Sequence, residues 1–148
     1  MFIVFDLDDT LRSTAGSEHL VPANVTRTEN WLPWQDYVNH HCKPIMPVVA
    51  LYYQCITSMS TLILTSSQFG TAEWLTRSGI NQPTAIVERP HDEHRSSFDF
   101  KREWVDENAH QIALWVDDHV KMCDYVESLG IPVVRVTPRL TGDNNGIH

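Results

Sequence analysis

The sequence predicts an α/β fold with a doubly wound parallel sheet, on three observations. Short, nearly continuous apolar runs recur along the chain, stretches of helical spacing separate them, and acidic pairs follow two of the runs directly. The first run covers residues 2–5, and others follow at 62–64, 85–87, 112–116 and 133–136. Each has the length and unbroken hydrophobicity of a strand buried on both faces. The intervening stretches 47–59, 70–78, 98–109 and 120–129 carry apolar residues at helical spacing. Parallel neighbours need crossover connections, and these are overwhelmingly right-handed, so helices must cover both faces of the sheet. In such a sheet the ligand sits beyond the carboxyl ends of the strands, where the strand order reverses.

One segment breaks the alternation. Residues 12–44 contain Ser-Thr-Ala-Gly-Ser, then Trp31-Leu-Pro-Trp34 and His40-His41-Cys42. Polar, aromatic and interrupted by proline, this stretch reads as a flap or miniature cap closing over a site rather than as a core element. The whole of 1–148 reads as one domain with this segment inserted in it, ending in a frayed tail over 141–148. A hydrophobic fraction of 42% with 20% charged residues excludes a disordered chain. No apolar stretch reaches the roughly 18 to 20 residues that cross a bilayer, so no membrane contact is expected. The first five residues run into Asp6, Asp8 and Asp9 with no basic leader. Three irregularly spaced cysteines form no disulfide framework, and a cytoplasmic location fits both features. The net charge of −8 argues against a general nucleic-acid-coating surface, leaving room only for a short, local contact. Nothing in the sequence identifies a protein partner.

The strand at 2–5 ends in Asp6-Leu-Asp8-Asp9-Thr10, and the strand at 112–116 ends in Asp117-Asp118. Carboxylates brought together at two strand ends repel one another unless a positive charge lies between them. An oxygen-only set with few carboxylates suits Mg²⁺, which keeps several waters and completes its shell with phosphate. The alternative, solvated acids in turns and caps, explains one such pair more readily than two. His40-His41-Cys42 offers zinc-type donors, but adjacent side chains do not readily share one tetrahedral ion and no second ligand pair follows, so it reads as flap surface.

On these residues the chain resembles the haloacid dehalogenase (HAD) superfamily, whose fold is a Rossmann-like core with a cap. Asp6-Leu-Asp8-Asp9-Thr10 is similar to its Asp-x-Asp-x-Thr signature, and residues 62–65, ending in Thr65, to its second motif. Lys101 is similar to the third motif, and Asp117-Asp118 to the fourth. The resemblance implies Asp6 as the nucleophile that accepts phosphate, and Asp8 as the acid and base. Thr65 and Lys101 are then catalytic as ligands of the transferring phosphoryl group. Mg²⁺ is implied as cofactor, held by Asp6, Asp117, Asp118 and the backbone carbonyl of Asp8.

Residues 88–104 and 116–118 resemble the phosphatase part of phage-type polynucleotide kinase/3′-phosphatases. This implies a 3′-phosphorylated nucleotide or short nucleic-acid end as substrate, with Arg89 and Arg95 as phosphate contacts and Ser66 beside the phosphoryl group. Arg forks suit phosphate, and Trp31 or Trp34 could stack on a base. His91 and His94 are placed nearer substrate than metal. The chain departs from that pattern at Ser66-Ser67-Gln68, where those enzymes have Gly-Arg, and it shows no kinase-like segment. A 5′-nucleotidase or general small-molecule phosphatase is therefore the alternative, followed by a silent binding module. The intact motif set argues against the last.

Overall fold

A computed structural model describes residues 1–137. Five parallel strands form one sheet in the order β3-β2-β1-β4-β5: β1 Phe2–Phe5, β2 Ser60–Thr65, β3 Ala85–Glu88, β4 Ile112–Asp117 and β5 Val133–Arg135. The central β1 pairs with both β2 and β4, Phe5 lying opposite Ile63 on one side and Val116 on the other. Strand order reverses between β1 and β4, so the two acid-capped strands are neighbours at the switch point.

Five α-helices accompany the sheet: α1 Leu32–His41, α2 Met46–Ile56, α3 Thr71–Arg77, α4 Ser97–Asn108 and α5 Val120–Ser128. Short 3₁₀ turns occupy Glu18–Leu20, Thr28–Trp31 and Ala109–Gln111. Helices α2 and α3 pack Val49, Tyr52, Trp74 and Leu75 against Phe5 and Ile63 on one face. On the other, α4 and α5 pack Val105, Met122 and Val126 against Val4, Leu64 and Trp115. Alternate residues of β1 thus feed opposite cores, as the period of a strand requires.

Helix α2 stops at Ile56, three residues before the expected end. The hydroxyls of Thr57 and Ser58 donate to the carbonyl of Gln54 at 2.9 and 3.0 Å, closing the last turn. The expected frayed tail at 141–148 lies outside the described residues. Among the described residues no helix is long and apolar enough to cross a membrane. All three cysteines are buried and unbridged.

The segment 12–44 is less of a loop than expected. Pro33 does not interrupt structure there; it sits in the first turn of α1, where a missing N–H costs nothing. Trp34, Val38 and Cys42, four residues apart, share one helix face and form a small core with Leu20, Val21 and Trp31. Cys42 is accordingly buried rather than flap surface, while His40 and His41 remain exposed. The bury-one-side pattern of a helix turns these three side chains apart from the two histidines.

Candidate active site

Asp6 follows β1 directly and is nearly buried, because the strand delivers it to the switch point beneath the flap. Its Oδ1 accepts from the Lys101 ammonium, and its Oδ2 accepts from Thr10 Oγ1 at 3.0 Å. Lys101 reaches it from α4, where it shares the buried face with Val105 one turn on. Burial by itself lowers the lysine's pKa. The surrounding carboxylates of Asp6, Asp117 and Asp118 more than offset that and hold it above the ordinary value, so the cation persists at any working pH.

Across the reversal, Asp117 ends β4 fully buried. Trp115 Nε1 donates to its Oδ2 and the His119 backbone N–H to its Oδ1, both at 3.1 Å. Thr10 Oγ1 also lies 3.3 Å from Asp118 Oδ1. Carboxylate oxygens of Asp6, Asp117 and Asp118 fall within 4.8 Å of one another. Among the described residues this is the one group of three or more acidic, histidine or cysteine side chains so gathered. Burial, then the Asp6 charge, pushes both Asp117 and Asp118 above the ordinary carboxylate range. Three crowded acids, two of them resisting ionisation, with oxygen donors only, form a set that fits a hard divalent cation.

The Asp8 carboxylate points elsewhere. Arg12 holds its Oδ1 with Nε at 2.8 Å and Nη2 at 2.7 Å, and Ser67 Oγ donates to its Oδ2 at 3.1 Å. Arg12 is fully buried, its guanidinium lying 5.3 Å from the centre of the Trp74 ring. Its Nη1 donates to Asn39 Oδ1 at 2.7 Å, so α1 of the flap is tied to the same network. Sequence reasoning missed Arg12, Ser67, Trp115 and the bonding role of Thr10. Trp115 had a legible signal, since a residue two before Asp117 lies on the same side of the strand.

A cavity of about 210 Å³ opens onto this cluster, with Asp6, Asp8, Lys101, Asp117 and Asp118 in its wall. Ser66 and Ser67 also line it, and Ser66 Oγ bonds Ser97 Oγ at the start of α4. Thr65 sits behind that wall, its Oγ1 accepting from the Ser67 N–H at 3.0 Å. The flap supplies Thr28, Trp31 and Trp34. Trp34 is almost wholly buried: its Nε1 donates to Ser17 Oγ at 2.9 Å and its ring meets Trp31 edge-on at 5.4 Å. Little of its face is left for stacking.

The predicted phosphate forks line the cavity but are engaged within the protein. Arg89 Nη1 donates to the carbonyls of Glu93 at 3.1 Å and Arg95 at 2.6 Å. Arg95 forks Glu93 at 2.8 and 2.6 Å and also meets Glu103. His94 Nδ1 accepts from the Thr28 N–H at 3.2 Å, and His91 Nδ1 lies 2.8 Å from Gln68 Oε1. The two histidines brace the flap.

No family model and no curated protein matches the chain by sequence. Solved structures do match it in fold. A chain described as part of a Pnkp1/Rnl/Hen1 complex superposes with a TM-score of 0.69 at 18% identity, covering 91% of this chain and 45% of that one. A haloacid dehalogenase-like family hydrolase from Streptococcus pneumoniae superposes with a TM-score of 0.62 at 16% identity, covering 92% and 84%. This chain therefore spans less than half the length of the first neighbour. The fold is that of haloacid dehalogenase-like proteins, a Rossmann-like parallel sheet with a short flap.

Proposed function

We propose that this protein is a Mg²⁺-dependent phosphohydrolase acting through an aspartyl-phosphate on Asp6, with a 3′-phosphorylated nucleotide or nucleic-acid end as substrate. The observation that carries the reading is the setting of Asp6: a near-buried carboxylate held by Lys101 and Thr10, facing Asp117 and Asp118, and open to the cavity. Asp6, Asp117 and Asp118 would hold the cation, with the Asp8 carbonyl as the resemblance implies. When bound, Mg²⁺ supplies the positive charge that lets an anionic nucleophile approach an anionic phosphate.

Asp6 attacks phosphorus as the bond to the leaving oxygen breaks, and Asp8 gives that oxygen a proton. Asp8 then takes a proton from water, which displaces phosphate from Asp6 and restores the carboxylate. Lys101 offsets charge on the nucleophile and on the transferring group. The Thr65 hydroxyl, behind the cavity wall, accepts from the Ser67 N–H and so holds in place the Ser66–Ser67 turn that lines the phosphoryl position.

The neighbour in a Pnkp1/Rnl/Hen1 complex supports a nucleic-acid-end substrate. A second reading, a nucleotidase working on single nucleotides, is favoured by the internal engagement of Arg89 and Arg95. The test is phosphate release with Mg²⁺ from a 3′-phosphorylated oligonucleotide, a 3′-mononucleotide and a 5′-mononucleotide. Asp6→Asn is expected to abolish turnover of all three. Preference for a 3′-substrate supports the first reading, faster turnover of the 5′-mononucleotide selects the second, and undiminished activity of Asp6→Asn removes the nucleophile.

A further inference from the structure

We infer that Lys121 and Arg102, gathered on the Phe98 ring at the rim of the catalytic cavity, form a position for a second phosphate group of the substrate. The inference rests on the phosphatase reading above. Phe98, in the first turn of α4, is half-buried and lines the cavity. Lys121 Nζ lies 4.2 Å from its ring centroid and Arg102 Cζ lies 5.9 Å away. Tyr125 closes its side edge-on at 6.1 Å. Cations over an aromatic face are attracted by the ring quadrupole, which orders long side chains without neutralising them.

The count of basic side chains singles these two out. Arg12, Arg27, Arg95, Lys101 and Arg135 each face a carboxylate within 4 Å, and Arg77 and Arg89 donate to backbone carbonyls. Among the described residues, the side chains of Lys43, Arg102 and Lys121 make no ion pair within 4 Å and no hydrogen bond. Two of those three converge on one ring in the cavity wall. Of the nearby acids, Glu103 meets Arg95 and Asp124 meets Arg135 at 2.7 Å, while Asp106 accepts from the Tyr125 hydroxyl and keeps its charge outside the cavity wall.

In a chain of net charge −8, two exposed cations that share no ion pair and stack on one ring of the cavity wall suit an anionic counterpart. The scissile phosphate cannot be that counterpart, because Lys101 and the acid cluster serve it deeper in the cavity. A second phosphate on the same substrate fits. It comes either from the next phosphodiester of a polynucleotide or from the far end of a nucleoside 3′,5′-bisphosphate.

The experiment measures kcat/KM with Mg²⁺ for a 3′-mononucleotide, a nucleoside 3′,5′-bisphosphate and a 3′-phosphorylated dinucleotide. Wild type is compared with the double variant Lys121→Ala/Arg102→Ala, its fold checked by circular dichroism. Two exposed charge contacts predict a loss of about 5- to 20-fold on a substrate bearing the second phosphate. The mononucleotide should lose less than about twofold on the same basis. Loss confined to the dinucleotide identifies the phosphodiester, and loss confined to the bisphosphate identifies the terminal phosphate. Equal loss on all three substrates, or none on any, overturns the inference.

A binding arm separates its failure from that of the phosphatase reading. Fluorescence anisotropy of a labelled 3′-phosphorylated dinucleotide is measured on Asp6→Asn protein, with and without the two alanines. If turnover is absent throughout but binding still weakens with the alanines, the anion position stands and the catalytic reading falls. If binding is unchanged by the alanines, the anion position falls.

Discussion

Arg12 shows how much of a site can rest on one side chain outside the reacting set. Its guanidinium holds Asp8, reaches Asn39 and Ser67, and packs on Trp74, all without solvent exposure. Removing one partner of such a pair leaves the other charge unmatched, so Arg12→Met should cost about 3–5 kcal/mol in urea unfolding. Arg12→Lys keeps the charge but cannot fork, and should recover only part of that. In the proposed mechanism Arg12 is a positioning residue that acts through Asp8, the proposed proton donor, which gives a second readout. A p-nitrophenolate leaving group needs little protonation, whereas a nucleoside hydroxyl depends on it. Arg12→Lys is therefore expected to lose about 10- to 100-fold more kcat on a 3′-nucleotide than on p-nitrophenyl phosphate, part of the roughly 10²- to 10⁴-fold that general acid catalysis supplies. Equal losses on both would reduce Arg12 to a structural role. Nothing in the sequence separated this arginine from an exposed one, because composition makes arginine a surface residue and periodicity does not report what it pairs with. Asp6 and Asp117 were legible for the opposite reason: charge placed at the end of a buried strand has few structural explanations.

At the scale of elements, the flap is held by hydrogen bonds rather than by a large apolar face. Gln68 Nε2 donates to the Thr28 carbonyl at 2.7 Å, its Oε1 meets His91, and its backbone N–H donates to Gln35 of α1 at 2.6 Å. Gln68→Ala removes the two side-chain links from a buried position, at a cost of about 1–3 kcal/mol. That loss should appear locally, as faster hydrogen exchange over residues 17–34 while β1 and β4 keep their protection. Uniform acceleration across the sheet would show instead that the flap and the core open together. Asn39 makes the second tie, donating to the Phe69 carbonyl at 3.0 Å while accepting from Arg12. Gly70, at φ +85°, leaves space for it: a Cβ there would lie 2.1 Å from Asn39 Nδ2. Gly70→Ala combines a clash with a left-handed backbone, and a loss of about 2 kcal/mol or more in thermal unfolding is expected. All five strands and four of the five helices were legible, since unbroken apolar runs and 3.6-residue spacing report directly on burial. Helix α1 was obscured because Pro33 was read as a break, although a proline in a first turn favours a helix. The latch at Gln68 could not be read at all, since its partners lie 23, 33 and 40 residues away in the chain.

For the molecule as a whole, the acid cluster couples stability to pH and, under the proposed function, to a cation. Burial and the neighbouring Asp6 carboxylate raise Asp117 and Asp118 above the ordinary value of 3.8. An acid with a raised folded pKa binds its proton more tightly in the folded state. Its stabilising contribution is therefore complete below 3.8 and is lost as pH rises through the elevated values. Metal-free protein should melt at a lower temperature at pH 8 than at pH 5.5. The comparison is made against Asp118→Asn, which should show a smaller decline. Under the proposed function Mg²⁺ takes the ionised cluster of the folded chain, and it should then reverse the loss, more at pH 8 than at pH 5.5. At one hundred times its dissociation constant the gain is about 2.7 kcal/mol, or roughly 5–10 °C for a chain of this size. Differential scanning calorimetry with Mg²⁺ and then with EDTA measures both effects. A melting temperature indifferent to Mg²⁺ at either pH would remove the cation from the cluster, and with it the means by which Asp6 approaches a phosphate.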